Sequence, residues 1–161
     1  MIIDNIQQLQ SLYNKTLFVY PILQDSRRHR VESIIIGLVL IDINTKETFS
    51  VSKLHPDGLF QIKDFSFLQN CKVYSYDTIL FKYAGYETDQ FVDVQMQYYL
   101  QSNKGCNFET PGIINHYARY FTDCGVLGSL VSLPKHESIA YDLFTRIFVE
   151  QLQPGLSFYQ Q

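Results

Sequence analysis

Apolar positions along this chain switch between a spacing of three to four residues and a spacing of two, and the switches divide it into elements. Residues 4–15, DNIQQLQSLYNK, place Ile6, Leu9 and Leu12–Tyr13 on one side of a short helix, with Asp4 as a candidate N-cap. Thr16 to Leu23, TLFVYPIL, is rich in β-formers, but Pro21 cannot donate a ladder hydrogen bond, so a strand is expected only to about Tyr20. Residues 32–43, ESIIIGLVLIDI, are almost continuously apolar, as a strand buried on both faces would be. A polar turn at Asn44–Glu47 then leads into Thr48–Leu54, which alternates as a returning antiparallel strand. These three runs predict a meander.

His55-Pro56-Asp57-Gly58 reads as a turn, and Leu59 to Leu68 as a connection or short helix. The apolar run from Cys71 ends at Tyr76-Asp77. A helix-period segment follows, with Ile79, Leu80, Tyr83 and Ala84 on one face. After a break at Gly85–Tyr86 the pattern recurs: Phe91–Val92 ends on Asp93 and opens a second helix-period segment, Val94 to Leu100. Thr110-Pro111 suits the N-cap and N1 of a helix over 112–123, and Gly125–Pro134 reads as an apolar, glycine-broken loop. Lys135–Leu152 predicts a long helix using Ile139, Leu143, Phe144, Ile147, Phe148 and Leu152. The whole chain, 1–161, reads as one domain with an N-terminal helix within 1–15 and a tail at 153–161. The predicted class is α/β, and the order of elements is that of the ribonuclease H-like fold, a mixed five-stranded sheet flanked by helices.

Composition narrows the partners. With 18% charged residues, 12 Tyr and 12 Phe the chain is globular, and it has no apolar run of the roughly 18 residues a membrane span needs. No basic leader or signal core opens it, so an intracellular, soluble (cytoplasmic) protein without membrane contact is expected. Cys71, Cys106 and Cys124 are widely spaced and lack a CxxC pair, which predicts buried free thiols. A net charge of -3 disfavours non-specific nucleic-acid binding, with one local exception. Arg27, Arg28 and Arg30 crowd one loop around His29, a solvated charge run or a phosphate-contacting, nucleic-acid-binding loop. Tyr98, Tyr99, Tyr117 and Tyr120 could stack bases, line the core or form a subunit contact, so an oligomer is one expectation.

The segment KVYSYDTILFKYAGYETDQFVDVQMQYYL resembles the second motif of the DEDD superfamily of 3′–5′ exonucleases, the group that includes DNA polymerase I proofreading domains and ribonuclease D-like enzymes. Tyr76-Asp77 matches its aromatic–Asp pair and Val92-Asp93 its later strand end, while IIIGLVLIDINTKETFSV looks like its second and third strands. The resemblance spans residues 17–152 and implies two divalent ions, magnesium or manganese, about 3.5–4 Å apart. In that family four carboxylates hold the ions: an Asp-x-Glu on the first strand, one from the second motif and one from the last helix, which also carries a Tyr or His that orients the attacking water.

The departures fall on the chemistry. Pro21 and Leu23 stand where the first-strand acids belong, with Asp25 two residues further on as a shifted candidate metal ligand beside Asp77. In HESIAYD, His136 falls near the water-orienting position, Ala140 replaces the expected Asp, and Asp142 is a nearby acid. One carboxylate cannot offset the repulsion between two close divalent cations. The expectation is therefore an exonuclease fold that has lost its two-metal site, needs no cofactor, and binds a protein partner or a nucleic acid. The alternative is a divergent active exonuclease, using magnesium or manganese with Asp25, Asp77, Asp93 and Asp142 and with His136 as catalytic base.

Overall fold

The apolar run at 16–23 forms the middle of the sheet. The computed structural model describes residues 1–23, 34–75, 78–94 and 132–145. Five strands, β1 (Thr16–Leu23), β2 (Ile35–Asp42), β3 (Thr48–Ser52), β4 (Lys72–Ser75) and β5 (Val92–Asp93), lie in the order β3-β2-β1-β4-β5. β1 pairs antiparallel with β2 and β2 with β3, whereas β4 runs parallel to both β1 and β5. This is the α/β, ribonuclease H-like arrangement that the order of apolar runs predicts. All eight residues of β2 are buried, as the continuous run requires of a strand covered on both sides.

β1 extends through Pro21 to Leu23, three residues past its expected end. The reason lies in which way its backbone groups point. The Thr16 carbonyl accepts from Ile43 N–H on the β2 side, and the Lys15 carbonyl accepts from Lys72 N–H on the β4 side. Even positions of β1 therefore address β2 and odd positions address β4. Pro21, an odd position, puts its missing donor on the β4 side, beyond Val19–Ser75, the last described β1–β4 pair.

Alternation along the strands divides the core in two. Leu17, Val19 and Leu23 join Leu38, Leu40, Phe49, Val51 and Val73 on one face. α1 (Ile6–Gln10), a 3-10 helix (Ser66–Asn70) and α2 (Thr78–Tyr83) cover that face through Leu9, Phe67–Leu68 and Leu80–Phe81. Phe18, Tyr20 and Ile22 join Ile36, Val39, Ile41 and Tyr74 on the other, under α3 (Leu133–Phe144), whose Phe144 ring lies 5.5 Å from that of Phe18.

Helix boundaries differ from the periodic reading in three places. α1 is shorter than 4–15 and its N-cap is Asn5, whose side chain accepts from Gln8 N–H, rather than Asp4. The chain then turns through Asn14, at φ 67, where Asn14 N–H donates to the Asn70 carbonyl at 2.7 Å and delivers the chain into β1. α2 buries Leu80 and Phe81 while Ile79 and Tyr83 are exposed, because a helix of this length covers the sheet with one adjacent pair and not with a long stripe. α3 starts two residues before Lys135: the Ser132 side chain accepts from Lys135 N–H, and Pro134 fits the first turn, where no intrahelical donor is needed. Its buried stripe is Leu133, His136, Ala140 and Phe144. The predicted helix at 112–123, the tyrosines at 98, 99, 117 and 120, and Cys106 and Cys124 lie outside the described residues.

Candidate functional site

Open α/β sheets place chemistry at the carboxyl ends of their parallel strands, here β1, β4 and β5. At that edge Ser75 ends β4 opposite Val19 and Asp93, and α2 begins three residues on at Thr78. Among the described residues the buried Ser75 and Thr78 hydroxyls have no hydrogen-bond partner. Asp25, Asp77 and the basic trio Arg27, Arg28 and Arg30 lie outside the described residues.

The strand-one positions are described, and none is acidic. Leu23, at the second expected acid position, packs in the core beneath α1 and α2, and Pro21 shares its face by alternation. Ala140, at the expected last-helix acid, packs in the opposite core. The two sequence positions thus lie on opposite faces of the sheet. The β1 residues that do face α3 are Phe18, Tyr20 and Ile22, all buried and none acidic. Neither register of β1 offers an Asp-x-Glu pair to a last helix, and these residues do not fit a two-metal centre. Among the described residues no group of three or more His, Cys, Asp or Glu could hold a metal ion.

Nor do the two candidates on the last helix come together. Six residues separate His136 from Asp142, which sets them about 120° apart around α3. His136 belongs to the buried stripe, whereas Asp142 is only half-buried. His136, expected near the water-orienting position, is buried, at 1% exposure.

His136 meets a residue that sequence reading had left without a role. Its ring packs edge-on against that of His55, 5.4 Å between centroids and 87° between planes, and His55 is fully buried. The turn holding His55 is tightly tied. Ser52 Oγ accepts from His55 N–H at 3.0 Å, Gly58 N–H donates to the His55 carbonyl at 3.0 Å, and Asp57 N–H donates to His55 Nδ1 at 3.1 Å. Asp57 then reaches α3, where its carboxylate accepts from Leu133 N–H at 3.2 Å, a favourable position for a negative charge at a helix start. No short-range pattern links positions 55 and 136. The only sequence signal was the turn itself, which fixes where the His55 ring points.

Three other groups define the local electrostatics. The hydroxyl and N–H of Ser66 hold the exposed Asp64 carboxyl below the usual range. Burial raises the Tyr74 phenol and pushes the Cys71 thiol up to about 11, the latter with contacts to the Leu12 and Phe67 carbonyls.

An open cleft of about 350 Å³ lies between α1 and the β3–β4 connection, walled by Ile6, Leu9, Tyr13, Phe60, Ile62 and Phe67. Ile6 on its wall is 51% exposed, and Leu59, which precedes the wall residue Phe60 in the chain, is 87% exposed. Among the described residues no helix is long and apolar enough to cross a membrane. No protein-family model and no curated protein matches the chain.

Proposed function

We propose that this chain is an exonuclease-like domain of the DEDD type that has lost its two-metal site and works as a non-catalytic binding module for a protein partner. The observation that carries this reading is β1. It is the central strand, it runs parallel to β4 where such a site would form, and all eight of its residues lack a carboxylate. Burial reinforces the point: an acid introduced at Tyr20, Ile22 or Leu23 would enter an apolar core, where an unpaired carboxylate is strongly disfavoured. A net charge of -3 favours a protein over a nucleic acid as partner, and the exposed Leu59 and Ile6 beside the α1 cleft supply apolar contact surface.

The test is made on the full chain. Calorimetric titration with manganese and magnesium is expected to show no saturable two-ion binding, and end-labelled single-stranded DNA and RNA are expected to stay full length. Two-ion binding with 3′ shortening, both abolished by Asp77→Asn, would establish the divergent nuclease instead. Fluorescence anisotropy with the same oligonucleotides separates the partner classes. Tight, salt-dependent binding that Arg27→Ser, Arg28→Ser and Arg30→Ser together remove would replace the protein partner with a nucleic acid.

A further inference from the structure

We infer that the surface around the α1 cleft is self-complementary and joins two copies of this chain in a twofold dimer, with Leu59 of each copy seated in the cleft of the other. A hole, a knob and a balanced rim carry it. The hole is the open cleft of about 350 Å³, whose apolar wall includes the exposed Ile6 and the half-buried Tyr13 and Phe60. The knob is Leu59, 87% exposed and joined directly to Phe60 of that wall. The backbone is anchored on both sides of it. Gly58 N–H donates to the His55 carbonyl at 3.0 Å, and Ile62 N–H donates to the Ser52 carbonyl at 2.9 Å beside the bridge between Ser52 and Gln61. A side chain presented from an anchored segment costs less to order on binding than one on a loose loop. The rim carries Lys63 and Asp64, adjacent, exposed and opposite in sign.

These features specify the occupant. A leucine is a knob that an apolar hole accepts, and a rim with one charge of each sign is matched by the same rim turned about a twofold axis. In that arrangement Leu59 enters a cleft twice, and Lys63 of each copy faces Asp64 of the other. A nucleic acid would need a positive rim, and a strongly acidic or basic peptide would meet one repelling group for each attracting one. Closure about the axis uses both knobs and both holes and leaves none for a third copy. A standard interface covers about 800 Å² on each side, roughly a tenth of the 8411 Å² surface of this chain. The cleft and Leu59 supply its desolvated centre, with the charges outside it. With a single apolar anchor from each copy, a dissociation constant on the order of 10 µM is expected. The dimer rests on the binding-module reading only in using the same apolar surface.

Sedimentation equilibrium of the full chain between about 1 and 200 µM is expected to pass from monomer to dimer and no further. Leu59→Ser is expected to weaken association at least about tenfold, since it takes two leucines from the centre of the interface. Lys63→Glu makes the charges of the cleft lining all negative, and Asp64→Lys makes them all positive. Each chain alone is expected to dissociate, and an equimolar mixture of the two to associate again. A wild-type chain monomeric throughout, species larger than the dimer, Leu59→Ser associating as tightly as wild type, or a folded mixture that stays monomeric would each overturn the dimer. The Asp64 carboxylate caps the 3-10 helix by accepting from Ser66 N–H at 2.9 Å. Should Asp64→Lys fail to fold, Leu59→Ser and Lys63→Glu decide, and unchanged association in either refutes the contact. A monomeric chain that binds neither metal nor oligonucleotide would sink the dimer and leave the binding-module reading standing. Two-ion binding with strand shortening by a dimeric chain would do the reverse.

Discussion

Replacing Gly58 by Ala tests the packing that fixes the turn beside α3. Gly58 does not need glycine's conformational freedom, since the glycine with a left-handed backbone among the described residues is Gly85. What it needs is space. A Cβ at position 58 would stand 2.2 Å from both the Cβ and the Oγ of Ser52, far inside van der Waals contact. Relief requires the turn to move away from β3, because the Ser52 Cβ is fixed by the strand. Overpacking of this kind costs about 1–3 kcal/mol. Ser52 Oγ would also give up the bonds at 3.0 and 3.3 Å that tie it to His55, each worth about 1 kcal/mol. A total of about 3–5 kcal/mol lowers the melting temperature of a domain this size by about 6–20 °C. Thermal melts of Gly58→Ala, Ser52→Gly and the double variant form a complete cycle. The double variant should recover at least about 1.5 kcal/mol relative to the sum of the singles, because removing the Ser52 side chain opens the space the alanine needs. A Gly58→Ala chain melting within about 2 °C of wild type, or strictly additive singles, would refute the close approach.

Gly85 presents the opposite case: its φ is 92 and a Cβ there would meet nothing within 4 Å, so Gly85→Ala should cost about 1 kcal/mol in denaturant melts and Gly85→Asn less. Asp42 closes the β2–β3 hairpin by accepting from Asn44 and Thr45 N–H at 2.9 and 3.3 Å while Lys15 approaches at 3.4 Å; Asp42→Ala should destabilise by about 1–3 kcal/mol in urea titration, and Lys15→Met by less. The buried Cys71 thiol, raised to about 11, should resist iodoacetamide in the native chain at pH 8 and react once urea unfolds it, as mass spectrometry would show. Because its folded value lies above the roughly 8.5 of a free thiol, the folded state keeps the proton longer. The resulting loss of stability on raising the pH from about 9 to 11 should vanish in Cys71→Ala.

Strand positions were legible because burial on both faces leaves a continuous apolar run, as in ESIIIGLVLIDI, and because His55-Pro56-Asp57-Gly58 is a turn whatever surrounds it. Pro21 misled for a physical reason. The rule against proline in central strands concerns a missing donor, and whether that donor matters depends on a neighbour's length, which local sequence does not encode. The burial of Ile79 and Tyr83 was misjudged because a six-residue helix has too few turns for periodicity to identify its inner face. His136 completes the buried stripe of Leu133, Ala140 and Phe144. A polar residue on an otherwise apolar stripe is the signal that could have found it. Its partner His55, 81 positions earlier, is set by tertiary packing alone. For the edge formed by β1, β4 and β5, the sequence located the strands, but its acids at Asp25 and Asp77 lie outside the described residues.

The outer rim of β3 has a consequence for how partners can attach. Most of its outward backbone groups are already taken within the chain: the Met1 ammonium donates to the Thr48 carbonyl, Ser50 exchanges bonds with Met1 and Ile3, and the Ser52 carbonyl accepts from Ile62 N–H. A visiting strand would find the Thr48, Ser50 and Ser52 carbonyls and the Ser50 N–H already engaged, which disfavours lengthening the sheet from that side by β-augmentation or by stacking with its own copies. Recognition along this flank must instead proceed through side chains, and affinity there will depend on shape and apolar contact rather than on a ladder of main-chain bonds.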